Sequence, residues 1–238
     1  MAQTARRRRV GRQESFMIRC VSMWVAAIAL TGVGCANRPQ SPQAPPSASA
    51  FEKMKDPPIN ARTYFAAGQL AESQGQFPEA IRQYQNALNA QRKYLDAMFR
   101  MGVVYAQMRD YPHAIETWNR YIQVSGGSAT AYSNLGFCQE LAGNPAAAET
   151  AYRQGIRRDP NNEPCHVNFG LMLARHGHPT EALAQLRAVL PPAKAHYDLA
   201  SVYELDGQKA AARDEYRQAL QFDPTLEDAK AKLATMGE

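Results

Sequence analysis

The sequence predicts an all-α chain, a solenoid of antiparallel helix pairs closed by a C-terminal capping helix. Three observations carry this. Gly68, Gly102, Gly136 and Gly170 recur every 34 residues. Each is followed twelve residues later by an alanine (Ala80, Ala114, Ala148, Ala182), and Ala200 and Ala212 resume the pair after one shortened step of 30. The chain is alanine-rich and 45% hydrophobic, a composition that favours helix and supplies a sizeable core. A fixed period in the range of roughly 20–50 residues marks stacked units, none of which buries its apolar face alone.

The chain does not begin with the repeat. Residues 18–34, IRCVSMWVAAIALTGVG, form an apolar run behind Arg6 to Arg9, Arg12 and Arg19. A basic start, a short apolar stretch and small residues at its end describe an export signal, here residues 1–34. The run is short of the ~20 apolar residues that span a bilayer. MIRCVSMWVAAIALTGVG is a compact signal on its own, so Met1 and Met17 are alternative starts. Residues 35–60, rich in Pro, Ser, Ala and Gln, read as a disordered tether with little to bury.

The junction Leu30-Thr31-Gly32-Val33-Gly34-Cys35 resembles a bacterial lipobox, with Gly32 standing where an aliphatic residue is usual. That resemblance implies lipidation of Cys35 and a lipid anchor at the periplasmic face of a membrane in the bacterial envelope. Ala36 after the cysteine resembles the class directed to the outer membrane. Thiolate chemistry explains why a cysteine is needed to take up the lipid.

Charge narrows the partners. Six of the 27 basic residues and one of the 22 acids precede Cys35, leaving 21 of each in the remainder. A formally neutral body lacks the basic stripe of a nucleic-acid footprint.

Five units follow, at 61–94, 95–128, 129–162, 163–192 and 193–226. Each offers small residues where two helices cross, such as Gly68, Ala80 and Ala87, or Ala200, Ala212 and Ala219. Interaxial distance follows the contact residues, so bulk there would hold the helices apart. Large residues recur in phase on the second helix: Tyr84, Trp118, Tyr152, Leu186 and Tyr216. Gly75, Gly143, Gly177 and Gly207 supply helix stops, with Arg109 in that place in the second unit. Asp159-Pro160 and Asp223-Pro224 close the third and fifth units. Tyr121 and Val189 replace the third small residue in the second and fourth. Pro191-Pro192 is expected to truncate the fourth unit's second helix and to change the superhelical pitch there. Residues 227–238 read as the cap, with Leu226, Ala229, Leu233 and Met236 on one stripe.

These motifs, for example AYSNLGFCQELAGNPAAAETAYRQGIRRDPNN at 131–162, resemble the tetratricopeptide repeat family. The resemblance implies a right-handed superhelix whose first helices line a concave face for a protein or peptide partner. Carried across, that face comprises Phe65, Gln69 and Glu72; Phe99, Val103 and Ala106; Ser133, Phe137 and Glu140; Val167, Leu171 and Ala174; and Tyr197, Ser201 and Glu204. An apolar run edged by acids suits an amphipathic or basic peptide. Within the family the architecture resembles lipoproteins that assist pilus or secretion complexes; an accessory clamp for a cell-wall enzyme is the alternative.

Little in the sequence points to chemistry. His176 and His178 flank Gly177 with no third metal ligand beside them, and they read as solvated turn residues. His166 and His196 occupy aromatic core positions. Cys138 and Cys165 lie on adjacent first helices, where pairing is open to an exported protein. No phosphate-cradling loop, zinc-protease motif or nucleophile elbow occurs, so a non-enzymatic scaffold without metal or cofactor is expected.

Overall fold

The computed structural model describes residues 59–237; the signal, Cys35 and most of the tether lie outside them. Among the described residues there are eleven helices and no strand. They are α1 (Ala61–Ser73), α2 (Phe77–Ala90), α3 (Leu95–Gln107), α4 (Tyr111–Ser125), α5 (Ala129–Leu141), α6 (Pro145–Arg158), α7 (Glu163–Arg175), α8 (Pro179–Arg187), α9 (Pro192–Leu205), α10 (Lys209–Phe222) and α11 (Glu227–Met236). Each helix packs on the next, and successive pairs stack along one axis.

Local chemistry fixes the ends. Asn60, Asp110, Ser128 and Asn162 accept backbone N–H bonds as side-chain N-caps. Proline occupies the first turn of α2, α4, α6, α7, α8 and α9, where a missing N–H costs nothing. In the loops after α6 and α10, Asp159 and Asp223 accept from the backbone N–H two residues on. The turn inside each pair carries a left-handed residue, glycine everywhere except Arg109 at φ 62°.

The period-34 glycines have a different reason. A Cβ added to Gly68, Gly102 or Gly136 would stand 2.5, 2.8 and 2.7 Å from the ring of Tyr84, Trp118 and Tyr152 respectively. The ring sixteen residues downstream therefore lies on bare backbone, and all three rings are at most 1% exposed. Gly170 receives Leu186 in the same way, and Ala200 stands in the same register as Tyr216, which is also fully buried.

The fourth pair departs from expectation in detail. Helix α8 stops at Arg187, before the prolines, and Pro191 and Pro192 are the N-cap and first residue of α9. The prolines thus begin the next helix, because fixed φ and an absent N–H suit a first turn. The nine-residue α8 borders a cleft of about 550 Å³ floored by Leu199 and walled by Leu183, Arg187 and Glu215. At the C-terminal end Ala229 is buried, and Leu226, Leu233 and Met236 pack on the last core cluster, as the stripe predicts.

Two alanine substitutions separate the two glycine roles. Gly136→Ala should lower unfolding free energy by about 2 kcal/mol through overpacking against Tyr152. Gly143→Ala has open space, so only its left-handed φ of 85° opposes it, at about 1 kcal/mol. Urea unfolding of both variants checks the difference.

Candidate functional site

The first helices α1, α3, α5, α7 and α9 carry the candidate residues, and the face they form is not uniform. In the first three repeats the apolar side chains are half-buried: Phe65, Phe99, Val103 and Phe137, followed by Val167 in the fourth. Two of the phenylalanines are braced by neighbouring rings. Phe65 lies 5.7 Å from Tyr84 and 5.4 Å from Tyr94, and Phe99 lies edge-on at 5.0 Å from Trp118 and 5.7 Å from Tyr121. Tyr121, which occupies a small-residue position, thus fills space beside Phe99. Gln69 is exposed, Ala106 half-buried, and Tyr197 half-buried with Lys194 over its ring.

Four expected face residues are interior. Leu171 and Ala174 are 3% and 2% exposed, and Ser133 and Ser201 are also buried. These residues lie where α5 packs on α7 and α7 on α9. Ser133 accepts from Asn168 Nδ2 at 3.1 Å across that contact.

The three acids are not free for a basic ligand. Glu72 accepts the Tyr84 hydroxyl at 2.6 Å and Arg100 Nε at 3.0 Å, with a second Arg100 contact through Nη2. Glu140 accepts Arg175 Nε and Nη2 at 2.9 and 2.5 Å, with the Tyr152 hydroxyl at 3.5 Å. Glu204 accepts the Tyr216 hydroxyl at 2.8 Å and Lys232 Nζ at 3.0 Å. The Glu72 and Glu140 side chains are only 8% and 7% exposed. Each cation comes from the next first helix or the cap, so each carboxylate is neutralised by the fold itself. Burial, reinforced by the nearby glutamates, raises the pKa of Tyr84, Tyr152 and Tyr216 and keeps them protonated donors.

These cations escaped the sequence reading, yet a signal exists. Tyrosine follows glutamate by twelve residues in the first, third and fifth repeats. Where the glutamate is alanine, at Ala106 and Ala174, the partner has no hydroxyl: Trp118 and Leu186. A buried tyrosine needs an acceptor and a buried carboxylate needs donors, so the two change together.

The remaining candidates are structural. Cys138 and Cys165 are free and buried, and burial pushes their thiols up to about 12 and about 11, the inert end of the scale. His166 bonds to Gln185 and the Pro160 carbonyl, and His196 to Glu215 at 2.7 Å while stacking on Phe222. His176 Nδ1 lies 2.9 Å from the Met172 carbonyl at the end of α7, and exposed His178 lies 3.6 Å from Glu181. Among the described residues no group of three His, Cys, Asp or Glu side chains is placed to hold a metal.

Stacked helix pairs with a glycine or alanine under each large side chain and a face built from first helices define a helical-repeat scaffold. The chain belongs to the tetratricopeptide repeat family, whose models match residues 65–128, 99–163 and 193–226. The match lapses over the fourth repeat, where α8 is short. Among curated proteins, the general transcriptional corepressor ssn6 of Schizosaccharomyces pombe (strain 972 / ATCC 24843) is 26% identical over 132 residues, 53% of this chain and 12% of that protein. The corepressor trfA of Dictyostelium discoideum is 25% identical over 140 residues, 58% of this chain and 10% of that protein. The chain therefore spans about a tenth of these relatives. Among solved structures, MamA is 23% identical with a TM-score of 0.58, covering 72% of this chain and 94% of that one. YrrB, described as a TPR protein with an unusual peptide-binding site, is 22% identical with a TM-score of 0.54, covering 72% and 91%. At these identities the structures share the fold. Tetratricopeptide proteins are protein–protein interaction scaffolds and generally non-enzymatic.

Removing one partner of a nearly buried ion pair strands the other charge. Arg175→Met should destabilise by about 3 kcal/mol. Arg217→Met, whose pairing with Asp214 is solvent-exposed, should stay within about 0.5 kcal/mol of wild type. Chemical denaturation of both variants measures the contrast.

Proposed function

We propose that the chain is an envelope-anchored scaffold that receives an apolar segment of a protein partner on the concave face of its first three repeats. The observation that carries this reading is the half-buried stripe Phe65, Phe99, Val103 and Phe137, with Phe65 and Phe99 braced by neighbouring rings. Pre-packed rings lose little conformational entropy on binding. Because Glu72, Glu140 and Glu204 are already paired, the partner is recognised by apolar contact rather than by basic charge. Half-buried Val167 and Tyr197 continue the surface past the stripe, with buried Leu171 between them. Such a face fits a role in holding subunits of a pilus or secretion complex during assembly. A peptide-binding site in YrrB, a protein of the same fold, is consistent with this use.

The anchor is the second part of the reading. Cys35 follows an apolar run and precedes a Pro-rich tether, the order expected of a lipoprotein held at the outer membrane.

Two experiments test these parts separately. A benzoylphenylalanine photocrosslinker at Gln69 in cells should yield adducts that disappear in a folded Phe99→Glu/Phe137→Glu variant. Unchanged adducts would remove the groove. Cells fed a palmitate analogue should label the wild type and not Cys35→Ser; equal labelling would remove the anchor.

A further inference from the structure

The contacts between repeats are of unequal kinds. Repeats one and two are clasped by Glu72 and Arg100, repeats three and four by Glu140 and Arg175, and repeat five and the cap by Glu204 and Lys232. Repeats four and five lack a clasp, but their first helices close together and bury Leu171, Ala174 and Ser201. Among the described residues the junction of repeats two and three has neither device and is held by the packing of α4 on α5. Ala106 stands in the register of the clasping glutamates and Asn134 in the register of Arg100. Trp118 brings no hydroxyl for a carboxylate, and its side chain meets the Cys138 thiol of the third repeat instead.

The connection at this junction also differs from three of the others. The loops at Gln91–Tyr94, Asp159–Asn162 and Asp223–Leu226 are each closed by a backbone bond from the fourth residue to the first. The loop between α4 and α5 lacks that backbone bond, is tied instead by Gly127 N–H donating to Ser125 Oγ at 3.1 Å, and carries Gly126 and Gly127 at φ 81° and 76°. Gly126 has open space around it and a wide conformational choice, whereas Gly127 lies against Tyr132 and Ile122. The core spanning the junction is the smallest of three, with six buried residues, against ten in the first cluster and seventeen in the last.

We propose that the solenoid bends at one joint, between repeats two and three, flanked by a clasped pair on one side and a continuously packed block on the other. On the groove reading above, on which this consequence rests, the joint sets the spacing between Phe99 and Val103 on α3 and Phe137 on α5. The scaffold then fits its groove to the partner by rotating two rigid blocks, which is how hinges work when few residues absorb the change.

The test uses the partner-free full chain, so it is independent of whether the groove binds anything. Spin labels are placed at positions 82 and 150 in one sample and at 150 and 214 in another, with Cys20 and Cys35 changed to Ser and the buried Cys138 and Cys165 kept. All three positions are exposed sites on second helices, and both pairs span two junctions. Double electron–electron resonance should give a distance distribution at least twofold broader for 82/150 than for 150/214. Building the missing clasp with A106E/W118Y/N134R should narrow the first distribution and leave the second unchanged. Equal widths in the parent overturn the joint, as does a folded triple variant with an unnarrowed 82/150 distribution. Should the triple variant not fold, the comparison of the two pairs in the parent decides.

Discussion

Every feature of this solenoid depends on an aromatic or aliphatic side chain lying on a bare patch of backbone in the facing helix. Gly68, Gly102 and Gly136 let Tyr84, Trp118 and Tyr152 approach closer than any Cβ allows. Close approach makes each pair one compact unit, and the ring, buried from both sides, supplies much of its apolar area. The same contact fixes where the far end of the ring points. In repeats one, three and five that end is a hydroxyl, and it meets the glutamate of its own first helix.

That meeting carries the order from within a repeat to the next one. A carboxylate held by a tyrosine is fixed in place for the cation of the following helix. The inner face thereby spends its acids internally and presents apolar surface instead. Alternation follows as well. Ala106 and Ala174 pair with side chains that lack a hydroxyl, so junctions with and without a clasp succeed one another. The two unclasped junctions differ, because at the second the inner helices close up and bury Leu171, while at the first Phe99 and Val103 stay half-buried.

The sequence made the helix pairs legible because their constraints are local and periodic. Glycine under a ring, proline in a first turn and glycine at a left-handed turn each leave a residue at a fixed position. The capping stripe of Leu226, Ala229, Leu233 and Met236 was readable for the same reason. The face was less legible. Leu171 occupies a groove register, and only the closeness of α7 to its neighbours buries it, which no local pattern encodes. Glu72, Glu140 and Glu204 looked like free acids because their cations lie 28 or 35 residues away, outside any helical window. The tyrosine twelve residues after each glutamate was the available clue, readable once the need of buried polar groups for partners is imposed across the period.

The central claim is that the contact within a repeat and the contact between repeats form one network through a shared glutamate. A double-mutant cycle of Tyr84→Phe and Arg100→Met, followed by denaturant unfolding, tests it most directly. Both side chains bond Glu72, so their effects should be non-additive, with a coupling of about 1 kcal/mol. Additive effects, with a coupling below about 0.3 kcal/mol, would mean that the ring and the clasp stabilise the solenoid independently and would contradict the account.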